Sequence, residues 1–289
     1  MGTGLGKCKR REAGFFTSFA DELNSRLPRR GGGPETSHME TRPDSENPKP
    51  QGWRLLLAMP EIPRVLPFVL FLVLGSLQGK LFPGSEYWLY AVKTVLVGWM
   101  LWALRGLLAE VKWTFSWEGL AVGVVIAALW IGLSGHVPTL GDIWDAGHKL
   151  ITGKAPEPAK PEAPWNPVAF FGGNAALGWA FVLVRVLGRS LVVPPMEEVF
   201  YRSFFYRYIV SPKFNEVAFG QWHSVAFVVT SVIFGLAHPD DWLPGILCGA
   251  AYQWLVLRKQ RLGDAMLAHA TTNLLISIYA IATNQWRFT

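Results

Sequence analysis

From residue 65 onward the chain is a succession of apolar blocks, several of them reaching the roughly 20 residues a helix needs to cross the hydrocarbon core of a bilayer. Charge-sparse stretches cover 65–79, 87–104 (with Lys93 inside it), 119–141, 163–184, 217–237, 242–257 and 265–286, and an eighth block, 192–210, is interrupted by charges. In lipid an open sheet edge would leave backbone donors and acceptors unpaired, at several kcal/mol each, so such blocks must be helices. The expected fold is therefore all-α: a polytopic transmembrane bundle of about 7–8 helices. Composition agrees, since 51% hydrophobic residues and 14 Trp are too many for a typical soluble domain.

The blocks divide the chain. Residues 1–52 are polar and of mixed charge, with a Gly31-Gly32-Gly33-Pro34 break, and read as a disordered N-terminal tail. Residues 53–141 hold the front transmembrane helices. Residues 142–164 form a Pro-rich connector that favours an extended, polyproline-like path, and 165–286 form the back transmembrane region, which contains every motif described below.

The net charge of +6 is a topology signal rather than a nucleic-acid signal, because basic residues in a membrane protein collect in cytoplasmic loops. Arg54 and Arg64, Arg105 and Lys112, and Arg185 and Arg189 all fall on the cytoplasmic side if the N-terminus is cytoplasmic. Simple alternation of three further spans would put Arg258, Lys259 and Arg261 outside, so residues 190–262 do not follow plain alternation. Cys8 and Cys248 lie in different regions and have no metal-ligand spacing, so neither a disulfide nor a cysteine metal site is expected.

Charges inside apolar helices are rare and usually functional. In Pro194-Pro195-Met196-Glu197-Glu198-Val199-Phe200-Tyr201-Arg202, two carboxylates and a guanidinium stand among apolar neighbours, and the two prolines suit the start of a helix. Glu198 and Arg202 are at i and i+4 with the acid first, the favoured order for an ion pair, whereas Glu197 points about 100° away. The spacing thus fixes Glu198 and leaves Glu197 free to act as a base in an apolar pocket. Phe234-Gly-Leu-Ala-His238 closes one apolar block. In the last block His269 and Asn273, again at i and i+4, face the same way and could donate to a developing oxyanion, with Asp264 a candidate N-cap ahead of them. Taken singly, Glu-Glu-x-x-x-Arg is more often a solvated helix face, and each histidine more often a hydrogen-bonded interior residue. The weight lies in three such motifs in order, each inside an apolar block.

Those motifs resemble the CPBP family of CAAX proteases and bacteriocin-processing (Abi-like) enzymes over roughly residues 165–285, with a fainter similarity to CAAX-protease-related proteins linked to bacterial surface-protein sorting. The resemblance implies an intramembrane endopeptidase in a cell membrane, bacterial in the sorting-related case. Its substrate would be a membrane-anchored peptide or protein, such as a prenylated CAAX tail. It implies Glu197 and His238 as the activators of water, His269 and Asn273 as the oxyanion stabilisers, Glu198, Arg202 and Phe234 as positioning residues, and no cofactor. Alternatives also follow from the residues. A zinc protease would use Glu197, His238 and His269, although no His-Glu-x-x-His pair is present. A transporter would also place Glu, Arg and His in the membrane, but 65–141 and 163–286 do not repeat each other's charged motifs. A non-catalytic scaffold would bind peptides in the same cavity.

Overall fold

The computed structural model describes residues 59–154 and 164–288. Among these the chain is helical and contains no strand. The helices are α1 (Ile62–Ser76), α2 (Ser85–Ala103), α3 (Trp117–Leu133), α4 (Leu140–Thr152), a long run α5 (Ala175–Val210), α6 (Ser224–Leu236), α7 (Trp242–Lys259) and α8 (Gly263–Thr283). The tail, residues 1–52, and the Pro-rich run 155–163 lie outside the described residues, while the first half of the polar connector is the helix α4.

The two blocks expected at 163–184 and 192–210 merge into α5, whose 36 residues exceed what the bilayer core requires. Pro194 and Pro195 do not begin a new helix. They sit inside α5, directly after a π-helical stretch, Gly188–Val192, in which the Val193 N–H reaches back five residues to the Gly188 carbonyl. That wider turn lets the helix pass two residues that have no N–H to give. A second π-helical stretch, Val199–Phe205, follows Glu198 immediately and carries Arg202.

Among the described residues, α5 and α8 are long and apolar enough to cross a membrane, and α1, α3 and α6 are shorter apolar helices. The expected seven or eight full spans are thus not reached on length: the 13 residues of α6 rise only about 20 Å at 1.5 Å per residue. The outer surface is nonetheless apolar. Along α2, Trp88, Val92, Val95, Trp99 and Trp102 form an exposed stripe at helical spacing, the wrong face for water and the right one for lipid.

Close helix contacts depend on small residues. At Gly235 a Cβ would stand 2.6 Å from the Trp242 carbonyl oxygen, and at Gly123 one would stand 2.6 Å from the Ala268 carbonyl oxygen, so α6 packs on α7, and α3 on α8, at backbone distance. The core between them gathers Phe68, Val97, Met196, Tyr201, Phe234 and Tyr252. Cys248 is a free, buried member of it, and Cys8 lies outside the described residues. Asp264 is not an N-cap. It lies buried in the first turn of α8, where its carboxylate accepts from Arg261 Nε at 2.6 Å and Thr114 Oγ1 at 3.2 Å.

Candidate active site

The three motifs converge. Glu198 on α5 is fully buried, and its carboxylate meets Arg202 Nε at 3.2 Å, as the i, i+4 spacing predicts. Arg202 is equally buried. Its Nη2 donates to the Gly249 carbonyl at 3.1 Å, and the guanidinium lies over the Phe234 ring at 4.5 Å, with the Tyr201 and Tyr252 rings beside it. A planar cation that is weakly hydrated suits such an aromatic cage far better than an ammonium would. Phe234 therefore has a definite job: it floors the arginine that holds Glu198.

Glu198 has a second partner that spacing alone did not reveal. His269 Nδ1 lies 2.9 Å from Glu198 Oε1, and a carboxylate can only accept there, so Nδ1 carries the proton. The opposite nitrogen, Nε2, stands 3.9 Å from Glu197 Oε2, a separation that one bridging water can span. The imidazole is clamped by the Tyr252 ring, stacked on it at 5.1 Å, and the Tyr252 hydroxyl is itself fixed by Thr272 Oγ1 at 2.7 Å. Tyr252 was not singled out from sequence. Its only signal is its place three residues after Gly249, one turn along α7.

His238 stands just beyond the end of α6. Its Nδ1 donates to the Phe234 carbonyl at 2.9 Å, which leaves Nε2 as the free nitrogen, and Trp130 abuts the ring edge-on at 5.2 Å. Asn273 does face the same cavity as His269, but one of its amide hydrogens is committed to the Arg189 carbonyl at 2.9 Å, and among the described residues the other has no acceptor. His269 is constrained in the same sense: with Nδ1 committed, it can donate to an oxyanion only from a doubly protonated ring, through Nε2.

Glu197, largely buried, shares with His238, His269 and Asn273 the wall of one cavity of about 260 Å³, completed by Phe71, Gln78, Tyr90, Lys93, Arg185, Arg189 and Val193. Arg185 and Arg189 thus face this cavity from within α5. The expectation that they mark a cytoplasmic loop after a short span fails because the span does not end there. The alternative metal set, Glu197, His238 and His269, lines the same cavity, but among the described residues no three His, Cys, Asp or Glu side chains gather closely enough to hold an ion.

Residues 178–275 match the type II CAAX prenyl endopeptidase Rce1-like family. The match agrees with the CPBP resemblance carried by the motifs. This Rce1-like segment, about a third of the chain, contains all seven motif residues from Glu197 to Asn273, while α1 to α4 and Lys93 lie before it. Neither a curated protein nor a solved structure matches the chain.

Proposed function

We propose that this chain is a multi-pass intramembrane endopeptidase that hydrolyses a peptide bond in a membrane-anchored substrate of the CAAX type. The observation that carries the reading is the line Glu198, His269, Glu197: a buried carboxylate orients an imidazole whose free nitrogen faces a second, largely buried carboxylate on a cavity wall. The exposed apolar stripe on α2 and the two long apolar runs support a bilayer setting.

In the proposed reaction Glu197 removes one proton from a water that donates its other hydrogen to His238 Nε2, while His269, when its ring is doubly protonated, donates from Nε2 to the water oxygen. The water oxygen forms a bond to the scissile carbonyl carbon, and the carbonyl oxygen becomes an oxyanion that accepts from the second Asn273 amide hydrogen and from His269 when that ring is doubly protonated. Glu197 then passes its proton to the amide nitrogen as the C–N bond breaks, releasing an amine and a new carboxylic acid, whose remaining proton goes to the amine to leave a carboxylate and an ammonium. Glu198, Arg202 and Phe234 touch no reacting atom and act by positioning His269 and the α5 backbone.

The test is turnover of a prenylated CAAX peptide by the full chain in liposomes. Wild type cleaves and Glu197→Gln and His238→Ala do not; near-native cleavage by Glu197→Gln would sink the assignment. A chelator is expected to leave the activity intact, and loss that zinc restores would move the reading to the metal form.

A further inference from the structure

The cavity wall has an excess of positive charge. Lys93, Arg185 and Arg189 face it, against one carboxylate, Glu197. Elsewhere this fold satisfies its buried cations. Arg202 meets Glu198 at 3.2 Å and Arg64 meets Glu110 at 2.8 Å, while Arg207 donates to the carbonyls of Val217, Ser203 and Asn215. None of the ion pairs among the described residues includes Lys93, Arg185 or Arg189.

Their donors are left open. Lys93 is 6% exposed, and among the described residues the one acceptor its ammonium meets is Gln78 Oε1 at 2.7 Å, with the Phe71 ring 4.0 Å away. Arg185 Nε is buried with no acceptor among the described residues, and its guanidinium lies over the Trp165 and Tyr90 rings at 4.2 and 4.8 Å. Arg189 gives Nη1 to the Phe288 carbonyl and keeps its other donors. A cation withdrawn from water without an anion is costly, so Lys93, buried, with Arg185 and Arg189, partly buried, around one cavity call for an anionic occupant.

We infer that Lys93, Arg185 and Arg189 form a subsite for the free α-carboxylate at the C-terminus of the peptide substrate. The inference rests on the protease reading for its choice of anion. Arg185, Arg189, Val193 and Glu197 recur every fourth residue and share one face of α5, all lining the cavity. At about 1.5 Å per residue, Arg189 and Arg185 lie roughly 12 and 18 Å along the helix from Glu197, the reach of about three to five extended residues. A peptide with its scissile bond at Glu197 thus brings its C-terminal carboxylate to the cations when only a short tail follows that bond. Guanidinium donors take such a carboxylate in paired, charge-assisted hydrogen bonds. The enzyme would select by distance from the chain end as well as by side chain.

The experiment pairs two prenylated peptides that differ only in ending as a free acid or as an amide. Binding is measured to the full chain carrying Glu197→Gln in liposomes, where no cleavage intervenes, and turnover by wild type is followed separately. The acid is expected to bind about tenfold more tightly than the amide, about the strength of one charge-assisted hydrogen bond. That ratio falls to near one when Lys93→Met or Arg185→Met is added, and Arg185→Lys, which keeps the charge, retains part of it. Because the readout is a ratio within each variant, a general loss of fold does not mimic the result.

Equal binding of acid and amide overturns the subsite whatever the turnover assay shows. A preference for the acid without any turnover keeps the subsite and removes the protease reading. If added phosphatidylglycerol weakens both peptides alike and no acid preference exists, the cations hold a lipid headgroup and the inference is wrong.

Discussion

The Nδ1–H of His269 donates to Glu198 Oε1 at 2.9 Å, so only Nε2 of that ring is left to face Glu197. Two adjacent glutamates are thereby separated in role by their partners. Glu198 is tied on both sides, to Arg202 and to His269, while Glu197 Oε2 is buried without a hydrogen-bond partner among the described residues.

Substitution of the two should therefore give opposite patterns. Glu197→Gln is expected to lower turnover by about 10²- to 10⁴-fold, the range for losing a general base, with little change in melting temperature. Glu198→Gln leaves Arg202 buried without an anion and should cost about 3–5 kcal/mol of stability as well as activity. Melting curves beside turnover for both variants decide the matter, and equal thermal destabilisation of the two would refute the division.

Tyr252 offers a finer dissection. Its ring stacks on His269, while its hydroxyl bonds Thr272. Tyr252→Phe keeps the ring and should cost only about 0.5–1.5 kcal/mol, with near-native turnover. Tyr252→Ala removes the clamp and should cost about 3–5 kcal/mol with severe loss of activity. If both lost activity equally, the hydroxyl rather than the stacked ring would be what the site needs.

Gly235 lets α6 approach α7 and so sets where His238 stands. In Gly235→Ala the new methyl meets the Trp242 carbonyl oxygen at 2.6 Å and the Ile246 nitrogen at 2.7 Å, both backbone atoms that cannot swing aside. Overpacking of this kind costs about 1–3 kcal/mol. The displaced His238 should lower turnover more than the stability loss explains, and a folded, fully active variant would show that the contact does not position His238.

Much of this site was legible in sequence because helical spacing is local. The Glu198–Arg202 pair, the shared face of His269 and Asn273, and the free Glu197 all follow from residues four or one apart. What spacing could not supply were the contacts between helices: His269 with Glu198, separated by 71 positions, and the aromatic cage from α5, α6 and α7. The length of α5 was misread for a physical reason. Pro194 and Pro195 signal a helix start, and the π-turn that carries the helix through them has no signature in the sequence. The charges of Arg185 and Arg189, which end the charge-sparse stretch 163–184, mark a helix end in the sequence for a separate reason, that charge is taken to lie outside a span.

The connector helix α4 carries a pH dependence whose sign can be stated. Asp142 accepts from both the N–H and the hydroxyl of Thr139 at 2.8 Å, while Thr139 Oγ1 accepts from the Asp142 N–H, closing a capping box. These bonds favour the ionised carboxylate, with the backbone N–H the larger cause, and hold Asp142 below the usual carboxylate range. A group lowered in the folded state adds stability that is present above its unfolded value, roughly pH 4, and lost as pH falls through the folded one. Hydrogen exchange across residues 140–152, corrected for intrinsic rates, should therefore show constant protection from pH 7 to about 5 and a decline below about 4. Thr139→Val removes the hydroxyl's share and should weaken protection at neutral pH while moving the decline upward. The effect should be felt beyond α4, because the Leu140 N–H donates to the Pro239 carbonyl and Trp242 Nε1 to the Pro138 carbonyl, tying this helix to the loop that follows His238. Protection that is unchanged by Thr139→Val at every pH would mean that those two bonds, and not the capping box, hold α4 in place.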